Sequence, residues 1–321
     1  MSASPNPCGP ALAGWCGRQL PDPVRVAVAC SAGADSTALL LAAQERWPGR
    51  VVAVHIHHGL QDAADGFEQL VRTQCERLGV TLVVQRVNAF PEPGQSPEDA
   101  ARRARYRALV AAAGPLQAEV VLLGHHADDQ AETVLLALSR GAGLPGLAGM
   151  PERFEREGVL FGRPLLSLHA QELRDWLTLA GHPFIDDPSN ADPRYTRNRI
   201  RQTLSPAWRA CFPGYREALA RSARHAAQAQ GLLQELAEID LASTGEPPQI
   251  AALQRLGRAR QGNALRLWLR RVAGAAPSEV QLEELLDQIA ACRTRGHRLH
   301  LRVVDGRVVR DGDRLRYEAP I

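Results

Sequence analysis

Between Cys30 and Thr37 the chain reads CSAGADST, small residues placed between an apolar run and a helix-forming stretch. Small residues let backbone approach a phosphate closely, and a helix N-terminus offers unpaired N–H groups and the positive end of its dipole. Ser31, Ala32, Gly33, Ala34 and Ser36 are therefore candidates to cradle a nucleotide phosphate, the serines adding hydroxyl donors, and Asp35 can hold Mg²⁺. A plain strand-to-helix turn with Asp or Ser as N-cap explains the same letters. A Walker loop is excluded because it needs a lysine, and the G-x-G-x-x-G at Gly141 to Gly146 follows a helix and contains a proline.

A second loop, Gly124 to Thr133, reads GHHADDQAET. Asp129 and Glu132 are three apart on a helix and share a face, while His125 and Asp128 line its entry. Such an acidic pair can bind Mg²⁺ or an ammonium group, and His125 or His126 can shuttle a proton. The candidate catalytic set is thus Asp35, Asp129, Glu132 and His125, with Asp35 and Asp129 for the metal. Helix capping by Asp128 is the plainer account, and zinc lacks a tight ligand set. A third loop, His55 to Leu60 (HIHHGL), places His57 where a nucleotide would lie. In Pro97 to Tyr106 (PEDAARRARY), Arg102 and Arg105 are spaced to grip phosphate and Tyr106 to stack on a base. An ion pair of Glu98 with Arg102 accounts for that spacing equally well.

Positioning these loops requires strands that end beside one another. Four β-branched runs, 24–30, 51–57, 80–87 and 119–124, alternate with helical stretches near 36–47, 63–78, 97–113 and 128–139. Strand and helix in alternation predict an α/β fold, a doubly wound, mostly parallel sheet whose ligand lies beyond the carboxyl ends of the strands. The Gly/Pro-rich stretch 141–151 is a candidate mobile loop, followed by a more helical region. From about residue 216 the composition shifts to Ala, Gln, Leu and Arg, with helices at 265–271 and 280–291 and strands at 299–304 and 308–317. This predicts a catalytic domain over 1–215 and a smaller, mainly helical α+β domain over 216–321.

Composition bounds the chemistry. The chain has 321 residues, a net charge of +3 and no lysine, so all 38 basic residues are arginine and no Schiff base or lysyl intermediate can form on it. Six cysteines form no C-x-x-C pair, which points to a reducing cytoplasm without disulfides. No stretch approaches about 18 apolar residues, so membrane spanning is not expected. Eight arginines against the single acid Glu217 make Arg194 to Arg224 a basic block, a footprint for polyanions or a solvated helix face.

Ser31 to Ser36 (SAGADS) resembles the S-G-G-x-D-S loop of the PP-loop ATP pyrophosphatases. His55 to Leu60, Glu98 to Tyr106, Gly124 to Thr133, Arg140-Gly141, Gly146 to Met150, Pro164-Leu165-Leu166 and Asp187 to Arg201 (DPSNADPRYTRNRIR) narrow it. In this order and spacing they are similar to the tRNA(Ile)-lysidine synthetase family from about residue 24 to 210. Asn263 to Leu269 and the strands after it resemble that family's substrate-binding domain more weakly. The resemblance implies that ATP adenylates C2 of the wobble cytidine of CAU-anticodon tRNA(Ile), and that L-lysine then displaces AMP. It implies ATP and Mg²⁺ at Ser31, Gly33, Asp35 and Ser36, and lysine at Asp129 and Glu132 with His125 nearby. Arg102, Arg105, Arg197, Asn198 and Arg201 are implied to face ATP phosphates or tRNA. Ala32 departs from the family's glycine and is expected at negative φ, with Asp35 on an exposed loop. Longer relatives carry a further C-terminal domain. The alternatives are a PP-loop tRNA thiolase, which would need sulfur-carrying cysteines, and a catalytically degenerate tRNA-binding protein. The oligomeric state stays open, a homodimer included.

Overall fold

The computed structural model describes residues 5–20, 22–57, 64–87, 97–294 and 296–320, without the side chains of residues 64 and 97–99. His58, Gly59, Leu60 and the Glu98 side chain lie outside the described residues. Two compact units, Met1–Arg224 and His225–Ile321, divide the chain.

The first unit opens with a helix absent from the sequence expectations, α1 (Cys8–Gln19), because its Pro and Gly content masks an amphipathic pattern whose buried face is Cys8, Leu12, Trp15 and Cys16. Then come β1 (Val26–Ala29), α2 (Ala34–Arg46), β2 (Val51–His57), α3 (Ala64–Leu78), β3 (Thr81–Arg86), α4 (Pro97–Leu116), β4 (Val120–Leu122) and α5 (Ala127–Ser139). After a short α6 (Leu144–Leu147), the region expected to be more helical opens with a hairpin, β5 (Arg153–Arg156) and β6 (Val159–Gly162), before its helices begin with α7 (Ala170–Leu179). The sheet order is β3-β2-β1-β4-β6-β5, parallel throughout except for β5. Chain direction across the sheet switches between β1 and β4, so a crevice opens beyond Ala29 and Leu122.

Alternation along the strands feeds two cores. Val26, Val28, Val51, Ala53, Val120 and Leu122 pack with α1, α2, α3 and α7. Ala27, Val54 and Val121 pack on the other face with Tyr106 and Leu109 of α4 and with Phe161. Beyond α7 lie a 3₁₀ turn (Pro188–Ala191), α8 (Thr196–Arg199), a π-helical turn (Ile200–Leu204) and α9 (Ser205–Cys211).

The unit division falls inside a continuous helix, α10 (Tyr215–Thr244). The second unit continues with α11 (Ile250–Leu253), α12 (Arg258–Ala273), α13 (Glu279–Ala291) and an antiparallel sheet β7 (His300–Val303), β8 (Gly306–Asp311) and β9 (Arg314–Glu318). The expected strand 308–317 is in fact β8 and β9 joined by a turn. Leu265, Trp268, Leu285, Ile289, Val303, Val308 and Leu315 form its core.

Candidate active site

The turn from β1 into α2 is closed by Ser36. Its hydroxyl accepts from the Ser31 amide at 3.1 Å and donates to the Gly33 carbonyl at 3.1 Å. Ala32 does not take the expected negative φ: it sits at φ 68°. Tertiary contacts override the local preference, since the Ala32 carbonyl accepts the Ile185 amide at 2.9 Å and the methyl is 1% exposed in the core. Nor is Asp35 on an exposed loop. It lies in the first turn of α2, and its Oδ1 is buried with no hydrogen-bond partner.

Gly124 lets the second loop reach this turn. A Cβ there would lie 3.1 Å from the Asp35 carbonyl carbon and the Ser36 amide nitrogen, so only glycine permits the approach without displacement. The following histidines, alike in sequence, are opposite in charge. His126 Nε2 lies 3.5 Å from both Asp35 Oδ2 and Asp129 Oδ2, and Nδ1 is 3.7 Å from Asp128 Oδ2. Burial favours its neutral form, but Asp129, Asp35 and Asp128 outweigh burial and raise its pKa to about 9. The protonated ring forgoes a long 3.4 Å bond from the Asp129 amide, a small loss beside three carboxylates. For His125, burial together with Arg105, Arg163 and Arg102 outweighs Asp129 and pushes the pKa down to about 3.

Other expectations are corrected. Tyr106 is 2% exposed and packs edge-on against Phe154 and Phe161, so it cannot stack on a base. Glu132 is 2% exposed, and Arg201 Nε and Nη2 donate to its two oxygens at 2.8 and 3.1 Å. Arg197 Nη1 lies 3.8 Å from Glu132 and its Nη2 donates to Thr133 Oγ1 at 3.3 Å. These arginines, expected to face phosphates or tRNA, hold the 188–204 segment against α5. Asn198 is likewise turned inward, donating to the Ser189 and Asp192 carbonyls at 2.8 Å each.

Beyond the strand ends lies a cleft of about 450 Å³ that brings together Ser31, Asp35, Ser36, His57, Arg105, His125 and Asp129. His57 Nε2 donates to Asp65 Oδ1 at 3.0 Å, and His55 Nδ1 donates to the Cys30 carbonyl at 2.8 Å. An adjoining recess of about 770 Å³ shares Ser31, Asp35, Arg105 and Asp129 and adds Gly33, Ala34, Glu132, Arg201 and Arg209. Arg102, Arg197 and Asn198 line neither. Residues that sequence reasoning missed include Arg163, Phe67 and Gln130, whose amide pairs both ways with the Met150 backbone at 2.7 and 3.1 Å. The only signal for Arg163 was its place beside Pro164-Leu165-Leu166.

A PP-loop domain matches residues 18–208, and a TilS substrate binding domain matches residues 249–316. The tRNA(Ile)-lysidine synthase of Polaromonas naphthalenivorans is 58% identical over 90% of this chain and 88% of its own length. This chain belongs to the tRNA(Ile)-lysidine synthase family. The Bordetella pertussis synthase is 42% identical over 90% of this chain and 94% of its own length. The Ralstonia nicotianae synthase is also 42% identical, over 84% of this chain, but the match covers 60% of that longer protein. Among solved structures, the U34-tRNA thiolase NcsA of Methanococcus maripaludis, with its [4Fe-4S] cluster, superposes with a TM-score of 0.58 at 15% identity. That match covers 68% of this chain and 77% of the thiolase, and it shows the fold alone. For this member of the synthase family a sulfur-carrying role is disfavoured by its thiols. Cys30, the one in the cleft, is buried, and burial raises its pKa well above the ordinary value.

Proposed function

We propose that this chain joins L-lysine to C2 of the wobble cytidine of CAU-anticodon tRNA(Ile), consuming ATP and passing through an adenylated cytidine. The observation that carries this reading is the meeting, at one crevice, of a phosphate-type loop on α2 and an acidic pair on α5. Backbone amides and hydroxyls of Ser31, Gly33, Ala34 and Ser36 would hold the triphosphate. Arg105 lines both cavities and has no salt bridge among the described residues, which leaves its guanidinium for phosphate oxygens. Asp129 and Glu132 give the adjoining recess the negative charge that an amine substrate requires. Arg201 bonds Glu132 at 2.8 Å but lies 3.6 Å from Asp129, whose side chain is 17% exposed, so Asp129 is the more available of the two.

The residues fit Mg²⁺. Asp35 Oδ1 is a buried oxygen without a partner, Asp129 supplies a second carboxylate, and hard oxygen donors suit this ion. No group of three or more His, Cys, Asp or Glu side chains among the described residues forms a closed cage. That suits an ion shared with substrate phosphates, whose charge it would neutralise. No helix among the described residues is long and apolar enough to cross a membrane. We assign the chain to the cytoplasm, where its proposed substrates are, and leave assembly as a homodimer to mass measurement.

Labelled lysine, ATP and Mg²⁺ incubated with an isoleucine-tRNA transcript bearing CAU test the reaction. Lysine should appear on the cytidine with one AMP and one pyrophosphate released, and Asp35→Asn should abolish this while leaving the fold intact. Pyrophosphate release without lysine uptake would overturn the ligation, and neither event would support a degenerate tRNA-binding protein.

A further inference from the structure

Behind the cleft lies a buried cation that no part of the proposed reaction uses. Arg163, at the end of β6, is 3% exposed and meets no carboxylate within salt-bridge distance among the described residues. Burying a guanidinium without a counter-ion is costly, and such a group persists only where its nitrogens find acceptors. Here Nε donates to His125 Nδ1 at 3.2 Å, Nη1 to the Pro151 carbonyl at 2.9 Å and Nη2 to the Tyr106 hydroxyl at 3.2 Å. The guanidinium carbon also stacks 4.2 Å from the centre of the Phe154 ring. Three fixed acceptors and one ring face leave the fork a single orientation.

An imidazole nitrogen that accepts from a guanidinium carries no proton, because Arg cannot give its own away near neutral pH. The ring proton of His125 must then sit on Nε2. We propose that Arg163 is a positioning residue that locks His125 as the neutral Nε2–H tautomer, making His125 a fixed hydrogen-bond donor to a phosphate oxygen in the cleft rather than a proton shuttle. Two further observations agree. His125 lines the cleft with Ser31, Ser36 and Arg105, the groups assigned to the triphosphate. Its surroundings also oppose a positive ring: Arg163 from the end of β6 and Arg102 and Arg105 from α4 face it, against Asp129 alone from α5. A donor that stays neutral across the working pH range keeps its hydrogen bond constant, whereas a shuttle needs a pKa near that range. The donor role rests on the assignment of the cleft to ATP, but the tautomer does not.

Nitrogen-15 NMR of histidine-labelled protein tests the tautomer without any substrate. His125 should show a bare Nδ1 and a protonated Nε2 with no titration between pH 5 and 8. A protonated Nδ1, or an imidazolium at pH 7, overturns the proposal. Arg163→Met should release the ring into a tautomer mixture, while Arg163→Lys, which keeps a charged N–H donor, should restore the bare Nδ1. A purely structural Arg163 would lower the melting temperature and leave the His125 signature in place. A double-mutant cycle then tests the donor role: Arg163→Met should lower kcat/KM for ATP about tenfold in the wild-type background and hardly at all beside His125→Ala. Equal losses in both backgrounds would refute action through His125. Loss of lysine ligation with ATP-dependent pyrophosphate release intact would count against the lysine assignment and not against this one. If Arg163→Met does not fold, the wild-type spectrum and Tyr106→Phe, which should leave the tautomer unchanged, still decide.

Discussion

The methyl of Ala32 occupies a backbone well that L-residues avoid, at a cost of roughly 1 kcal/mol. The same methyl is 1% exposed, and burying one such group contributes about 0.8 kcal/mol. The terms nearly cancel, which explains how alanine stands in this loop at positive φ. Ala32→Gly should therefore change the unfolding free energy by less than about 0.5 kcal/mol, whereas Ala32→Val, with a branched Cβ at positive φ, should cost several times more. Urea titrations of the two variants check this. His126 gives a second residue-scale expectation. Its folded pKa, about 9, lies above the ordinary 6.5, so its contribution is fully present below pH 6.5 and is lost as pH rises through 9. In Mg²⁺-free buffer, the stability gap between wild type and His126→Gln should be widest near pH 6 and should narrow toward pH 9. A gap that widens with pH would contradict the cation. Neither histidine's state was legible in the sequence, where the two are adjacent and identical. Asp129 and Asp128 stand beside His126 in sequence, but Asp35 and Arg163 lie far away along the chain and meet the two rings only after the sheet has formed.

At the scale of elements, the sequence marks β1 to β4 and α2 to α5 well because buried parallel strands are long β-branched runs and the intervening helices carry clear apolar faces. It hides the β5–β6 hairpin, whose first strand, Arg153–Arg156, is a polar edge without a β-branched residue. It also hides how α5 is used. Asp129 and Glu132 are correctly placed on one face, but the partner of Glu132 lies 69 residues away. The spacing of acids on a helix says nothing about which cation folds back onto it. This pairing is asymmetric, since the Glu132 side chain is 3% exposed and that of Arg201 is 42% exposed. Arg201→Ala strands a carboxylate in the interior, and breaking a buried pair in this way costs about 3 kcal/mol. Glu132→Gln frees a guanidinium that reaches water and should cost less. Burial already holds the Glu132 pKa above its ordinary value against the pull of Arg201, and removing Arg201 lets it rise further. Protonation then favours the folded variant, so the Arg201→Ala penalty should be largest near pH 7 and shrink toward pH 5. Guanidinium melts of both variants at the two pH values measure it, and a penalty independent of pH would mean that Glu132 is not the group left behind.

For the whole molecule, the basic block between Arg194 and Arg224 was expected to bind polyanions as a unit, with Arg197, Arg199, Arg201, Arg209 and Arg216 as its phosphate contacts. Most of these charges have inward work. Arg197 and Arg201 meet Glu132, Arg216 donates to Asp128, and Arg199 donates to the Pro193 carbonyl at 3.2 Å and to Thr196 Oγ1 at 3.0 Å. Arg194 is held by Asp192 at 2.7 Å. Arg209 is different, being exposed, on the wall of the larger recess, and without an ion pair among the described residues. Four of the block's eight arginines, Arg194, Arg197, Arg201 and Arg216, thus meet carboxylates, and its value as a footprint rests on Arg199, Arg209, Arg221 and Arg224, which have no ion pair among the described residues. If tRNA phosphates meet this unit, the counterion-release slope of log K against log salt should fall by roughly 0.7 to 0.9 for each contact removed. Arg209→Ala should therefore flatten the slope by about that amount and raise the tRNA dissociation constant at every salt concentration. Arg197→Ala and Arg201→Ala should instead lower the melting temperature and leave the slope within error, because their charges are committed to Glu132. Titrations of the three variants with tRNA at four salt concentrations separate the cases. A flattened slope for Arg201→Ala with none for Arg209→Ala would mean that tRNA draws Arg201 away from Glu132 on binding, and that the segment 188–204 rearranges in the complex.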